Sequence, residues 1–211
     1  MVRAAQRLVP KARAVILYGS GNAGQRSHSD YDLLVVVEDG GMVRERVRLN
    51  RLLEEATGLR TDLNLATPAG LRLRRLIDPY VQHCLATGAV AAGDADDLMA
   101  IPPISAVGAR DALASAEVCL REQSELKGVA RRGLLEFVAK SLTALDQALS
   151  RQFDSGEFQQ MVQRLLAGTD EEAAARLEVL AAELGEKIRA LPLNESDRKA
   201  VSLASVGVGV G

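Results

Sequence analysis

The most constraining feature of this sequence is the stretch from Ala14 to Val37, AVILYGSGNAGQRSHSDYDLLVVV. Two apolar runs within it predict buried strands, and Gly19-Ser20 ends the first of them. Asp30 and Asp32 open the second strand, nine residues beyond Ser20. Because side chains alternate along a strand, these two carboxylates are expected on the same side, where they repel each other. The pair therefore predicts a site that holds a cation.

The remainder of the first half predicts a small sheet with helices packed against it. Apolar and alternating patterns predict strands over 13–18, 30–37 and 59–66, an edge strand over 88–93, and a helix over 42–57. Asp62 lies in the middle of the third strand, and Asn64 shares its face and is positioned to support it by hydrogen bonding. This order of elements predicts an α/β (α+β) domain with a small mixed sheet over residues 1–98.

Beyond Pro102-Pro103 the pattern changes to helices alone. Apolar residues at helical spacing predict helices over 109–125, 129–153, 158–166 and 171–191, which favour an all-α helical bundle over residues 105–204. The last residues, 205–211, carry Gly at every second position and are predicted to be a flexible tail.

Composition limits the classes of partner that such a chain binds. The sequence has 211 residues, a net charge of -2, 47% hydrophobic residues and 3% aromatic residues. The low charge and few aromatic rings argue against specific nucleic-acid binding. No apolar run is long enough to span a membrane, and the N-terminus has no signal-peptide pattern. We expect a cytoplasmic protein without a membrane partner.

The Gly-Ser turn, the Asp-x-Asp pair and a later acidic strand residue together resemble the signature of the DNA polymerase beta-like minimal nucleotidyltransferases. Nine residues separate Ser20 from Asp30 here, where members often have ten. The resemblance implies two Mg²⁺ ions held by Asp30, Asp32 and Asp62, with Asp62 also activating the acceptor hydroxyl. Gly19 and Ser20 would hold the phosphates of ATP or another nucleoside triphosphate. The implied reaction transfers a nucleoside monophosphate, AMP from ATP by family habit, and releases pyrophosphate.

The helical half resembles a HEPN-like domain, or the C-terminal helical domain of kanamycin nucleotidyltransferase-type enzymes, through RDALASAEVCLRE and ARRGLLEFVAKSLTALDQAL. Catalytic HEPN members carry Arg, a spacer of four to six residues, and then His. Here Phe137 follows Arg131 and Arg132 at that distance, which predicts that this half is not a ribonuclease. The resemblance also implies a homodimer through the helical domain.

Several assignments have alternatives at this stage. The acceptor is a hydroxyl of a small molecule or of a protein, and the competing hypothesis is a non-catalytic or antitoxin-type binding module of a toxin-antitoxin system.

Tyr18 and Tyr31 are predicted to be core residues, and the loop residue His28 to be solvated rather than a nucleotide contact. The arginines of the predicted helix over 42–57 favour a solvated face, with a phosphate or acceptor contact as the alternative; they are Arg44, Arg46, Arg48 and Arg51.

Overall fold

The computed structural model describes residues 1–19 and 31–205. The described residues divide by their contacts into a sheet unit, residues 1–19, 31–74, 84–101 and 203–205, and a helical unit, residues 75–83 and 102–202. In chain order the elements are α1 (Val2–Leu8), β1 (Ala12–Tyr18), β2 (Tyr31–Val37), α2 (Gly40–Val43), α3 (Arg46–Thr57), β3 (Thr61–Ala66), α4 (Pro68–Ile77), α5 (Pro79–Thr87), β4 (Ala89–Gly93), α6 (Asp96–Met99), α7 (Ala106–Glu122), α8 (Gly128–Ser150), α9 (Ser155–Leu165), α10 (Asp170–Arg189) and α11 (Glu195–Ser205).

The sheet is mixed and four-stranded, in the order β3-β2-β1-β4. β1 pairs antiparallel with β2 on one side and with β4 on the other, whereas β3 runs parallel to β2. A parallel pair needs a crossover connection, which α2 and α3 supply between β2 and β3. The mixed sheet and the helices that follow it confirm the predicted α/β class.

One face of the sheet forms the core with α1 and α3. Leu33, Val35 and Leu63 of this face belong to one buried cluster with Ala5 of α1 and Leu53 of α3. The alternate residues of β2, Leu34 and Val36, lie on the other face and are also buried. Since both faces of β2 are covered from Leu33 onward, its polar start at Asp32 is the exception in an otherwise apolar strand.

In the helical unit, α7, α8, α9 and α10 share one apolar core. Their buried seam includes Leu113, Leu142, Phe158, Leu177 and Leu184. The seam follows the helical periodicity of the sequence, because each helix buries one stripe against its neighbours. In the described residues, no helix is long and apolar enough to cross a lipid bilayer.

Two helix starts differ from the sequence prediction. The helix expected over 42–57 is split, because Asp39 caps a short first turn through Gly41 N and the chain turns again at Arg44 and Glu45. Two glycines, poor helix formers, stand in that first turn. Thr169 rather than Asp170 caps α10, in a capping box in which its side chain and that of Glu172 bond reciprocally to the backbone.

α11 is a helix that the periodicity did not predict. It is fastened to the start of α7 by the buried Asp197, whose carboxylate accepts hydrogen bonds from Val107 N at 3.0 Å and Asn194 N at 2.7 Å. Ser196 Oγ donates to the carbonyl of Pro103 at 2.6 Å. Burial opposes the charged form of Asp197, but these backbone donors and the charge of Arg110 outweigh it, so the pKa lies below its ordinary value.

We expect Asp197→Ala to lower the free energy of unfolding by about 0.5–2 kcal/mol at pH 7, as for loss of a helix N-cap. Because the folded pKa is depressed, this contribution is complete above the ordinary aspartate pKa and is lost as pH falls through the folded value. Urea unfolding of both proteins at pH 7 and in acid measures the difference. Glu195→Ala, which removes only the exposed pair with Lys199, is the control. Equal stability of Asp197→Ala and Glu195→Ala at pH 7 would contradict this role.

Candidate active site

Two of the predicted acidic residues lie side by side on neighbouring strands. In the parallel register of β2 and β3, Asp32 is the direct partner of Asp62. On its other side, Asp32 is the partner of Tyr18 in β1. Paired residues of adjacent strands point to the same face and are about 4.8 Å apart between strands. Tyr18, Asp32 and Asp62 therefore form one row across the sheet, on the face opposite the α1–α3 core.

Gly19 closes this row at the end of β1. Its backbone is left-handed, with φ +67°, and a Cβ atom placed there would lie 2.2 Å from Asp32 Oδ2. A side chain at this position would displace the carboxylate, and positive φ also disfavours any other residue. The family resemblance implies a phosphate-binding role for Gly19, and the structure adds that this glycine makes room for Asp32.

The two carboxylates differ in their surroundings. Asp32 is half-buried and Asp62 is exposed. Within the described ranges, Asp62 receives no side-chain hydrogen bond and forms no ion pair. A carboxylate that is exposed and uncommitted beside a second carboxylate is suited to bind a hard cation or to accept a proton.

The described residues contain part of the donor set that the predicted magnesium site requires. Among residues 1–19 and 31–205, no group of three His, Cys, Asp or Glu side chains is arranged to hold a metal ion. The described residues supply two adjacent oxygen donors, Asp32 and Asp62, which fit Mg²⁺ in type. Two of the other predicted site residues, Asp30 and Ser20, lie outside the described residues, as do His28 and Arg26.

β3, which carries Asp62, is an edge strand held in place by α3. Asn50 Oδ1 accepts from Leu63 N at 2.9 Å and from Thr61 Oγ1 at 2.8 Å, and Glu54 Oε1 accepts from Thr61 N at 2.9 Å. These helix side chains satisfy backbone donors that an edge strand otherwise leaves unpaired. The two residues that flank Asp62 are thereby fixed, and with them the backbone position from which its side chain extends.

A chain of hydrogen bonds lies beside the row, and the sequence analysis missed it. Asn64 Nδ2 donates to Tyr18 Oη at 2.8 Å, and Arg46 Nη1 donates to Asn64 Oδ1 at 3.0 Å. Asn64 was expected to support Asp62, but both ends of its amide are engaged elsewhere. Tyr18 is buried as predicted, and its hydroxyl anchors the chain. The signal available in the sequence was the shared strand face of Asp62 and Asn64.

In the helical unit, the arginines near the missing histidine position are engaged in structural contacts. Arg131 pairs with Glu171 at 2.5 Å, and Arg132 pairs with Asp170 at 3.1 Å and donates to the Leu166 carbonyl at 2.6 Å. These contacts tie α8 to the α9–α10 connection. The absence of a catalytic role for this half stays a prediction.

His83 is a packing residue of the helical unit. It is buried, its Nδ1 lies 2.8 Å from Gln147 Oε1, and its ring stacks on Phe158 with centroids 4.0 Å apart. Burial lowers the pKa of His83, against smaller opposite effects of Gln147 and Asp154.

Comparison with known proteins finds likeness in structure and none in sequence. No family model matches the chain. No curated protein matches it at a significant level either. Among solved structures, the chain is similar to the spectinomycin adenyltransferase AAD(9) from Enterococcus faecialis, crystallised with ATP and spectinomycin. The two are 12% identical with a TM-score of 0.49, over 87% of this chain and 98% of that chain. At this low level of similarity, the likeness does not show what this chain does.

Proposed function

We propose that this protein is a Mg²⁺-dependent nucleotidyltransferase that transfers a nucleoside monophosphate, AMP from ATP, to a hydroxyl group and releases pyrophosphate. The observation that carries the proposal is the row of Asp32 and Asp62 in direct register, with Gly19 packed against the Asp32 carboxylate. Carboxylates forced together repel each other, so their juxtaposition favours a cation-dependent site. Phosphoryl chemistry needs such a site, because its substrates are polyanions.

The reaction is an in-line displacement at the α-phosphorus. The acceptor oxygen forms a bond to phosphorus while the bond to the oxygen bridging the α- and β-phosphorus breaks, and that oxygen leaves with pyrophosphate. The proton of the acceptor hydroxyl passes to Asp62, the exposed carboxylate of the row. α3 holds β3 through Asn50 and Glu54, so that the Asp62 carboxylate stays oriented toward the acceptor.

Asp32, Asp62 and, from outside the described residues, Asp30 are the proposed ligands of two Mg²⁺ ions. When bound, such ions neutralise charge on the attacking and leaving oxygens. Gly19 and, from outside the described residues, Ser20 are proposed to receive the β- and γ-phosphates, as the resemblance to the minimal nucleotidyltransferases implies.

The acceptor is a small molecule or a protein with a hydroxyl group. The helical unit is proposed either to line its binding site or to form a homodimer interface. Neither membrane lipid nor a specific nucleic acid is proposed as a partner, because the net charge of the chain is only -2. A toxin-antitoxin binding module that retains the site without turnover is the alternative function.

The proposal is tested first by nucleotide binding to the full-length protein. Isothermal titration with ATP in Mg²⁺ should show saturable binding, and removal of the metal with EDTA should weaken it at least about ten-fold, since the carboxylates then repel the triphosphate. ATP binding that is equally tight with Mg²⁺ and with EDTA would contradict the metal-dependent site. Binding without any pyrophosphate release across a panel of hydroxyl acceptors would favour the binding-module alternative.

A further inference from the structure

One arginine of α3 differs from its neighbours in its partner. Arg48 pairs with Glu45 at 3.1 Å and Arg51 with Glu55 at 2.9 Å, as expected for a solvated helix face. Arg46 instead donates to the neutral amide of Asn64. In the part of the chain that the structure describes, no carboxylate forms an ion pair with Arg46. Among residues 1–19 and 31–205, the guanidinium of Arg46 therefore has no ion-pair partner.

The contact with Asn64 places this charge on the face that carries Asp32 and Asp62. Asn64 follows Asp62 by two residues on β3 and points to the same side of the sheet. Its amide is fixed at the far end by the hydroxyl of the buried Tyr18, the strand partner of Asp32. Arg46 is thus held beside the β3 end of the row by hydrogen bonds that run through Asn64 to Tyr18 in β1.

The position of Arg46 relative to Gly19 indicates which phosphate group of the nucleotide Arg46 contacts. Gly19 ends β1, on one side of Asp32, whereas Arg46 contacts β3, on the other side. If the β- and γ-phosphates bind at the Gly19 end of β1, as in the proposed function, the α-phosphoryl group lies over the carboxylates and next to β3. Guanidinium groups donate to phosphate oxygens with favourable geometry, and four N–H donors of Arg46 remain beyond its bond to Asn64.

Resting on the proposed function, we infer that Arg46 binds the non-bridging oxygens of the α-phosphoryl group of the nucleotide. The Tyr18–Asn64 pair positions the guanidinium, and the arginine stabilises the charge that these oxygens carry during transfer. It is a nucleotide-binding residue on a helix whose other arginines form ordinary surface ion pairs.

Binding of a phosphate series to the full-length protein tests this inference. In Mg²⁺, Arg46→Ala should weaken ATP, ADP and AMP each by about ten-fold, the value of a charge-assisted hydrogen bond, and leave adenosine unchanged. Arg48→Ala, which removes the same charge two residues away, should bind all four ligands like the wild type. Ligand-observed NMR measures the four dissociation constants.

A second variant neutralises the charge of Arg46 without removing its side chain or unfolding the protein. Asn64→Asp places a carboxylate where Arg46 now contacts an amide. It should therefore weaken AMP binding as much as Arg46→Ala does, while the thermal unfolding temperature stays close to that of the wild type. Unchanged AMP affinity in Arg46→Ala, a loss limited to ATP, an equal loss for adenosine, or the same loss in Arg48→Ala would each overturn the inference. If the wild type binds none of the nucleotides, it is the proposed function that fails, and the inference falls with it.

Discussion

Asp32→Asn is expected to abolish nucleotidyl transfer, with pyrophosphate release reduced roughly 10³-fold, while the protein stays folded. An amide has the shape of the carboxylate but lacks its charge, so it is a poor ligand for Mg²⁺. Asp32 is the strand partner of both Tyr18 and Asp62, and its carboxylate occupies the space that a side chain at Gly19 would fill.

The same substitution should not destabilise the metal-free protein. Asp32 and Asp62 are direct neighbours across β2 and β3, so removing one charge relieves repulsion between them. We expect the Tm in EDTA to equal or exceed that of the wild type, a pattern typical of functional residues. The control is Asp96→Asn, which neutralises an exposed aspartate of α6 in the same unit. Wild-type rates of pyrophosphate release in folded Asp32→Asn would contradict the assignment.

Asp62→Ala is expected to lower kcat about 10²–10⁴-fold, the range for loss of a general base, and to change ATP affinity much less. The reason is that Asp62 lies at the β3 end of the row, whereas the proposed phosphate turn at Gly19 lies at the β1 end. Steady-state rates of pyrophosphate release and calorimetric ATP binding, measured on the same preparations, separate the two effects.

One result would contradict the assignment of proton transfer to Asp62 and of nucleotide binding to the rest of the site. If Asp62→Ala loses ATP binding and turnover in equal measure, with native circular dichroism, Asp62 acts only as a ligand for the nucleotide complex. Asp62→Asn provides a second comparison, because it keeps the size of the side chain and removes its ability to take a proton at neutral pH.

The sequence predicted the strands because their periodicity is local. The apolar runs that define β1 and β2, and the alternation in β3, extend over six or seven residues each, which is enough to assign both the element and its faces. That is why Asp62 and Asn64 were expected on one face. The pairing of Asp32 with Asp62 depends on strand register across a crossover, which no local pattern specifies.

The supporting contacts of the site join residues far apart in the chain. Asn64 reaches Tyr18 across 46 residues, and Arg46 reaches Asn64 across 18. Neither contact produces periodicity, so Arg46 could not be distinguished in sequence from the solvated arginines around it. In the helical unit, similarly, Gln82 Nε2 donates to the carbonyls of Arg75 and Pro102, and Leu76 O accepts from Ser105 N. These contacts attach residues 75–83 to helices that begin some 20 residues later.

The central claim, transfer of the α-phosphoryl group with its nucleoside, is tested most directly by the fate of labelled ATP. The full-length protein is incubated with Mg²⁺ and a panel of hydroxyl acceptors, water included, in parallel reactions labelled at the α- or γ-phosphorus. The account predicts that α-label appears in AMP or an AMP–acceptor product and that γ-label leaves as pyrophosphate, with neither change in EDTA. Gamma-label released as orthophosphate or moved to the acceptor, with α-label in ADP, would contradict it.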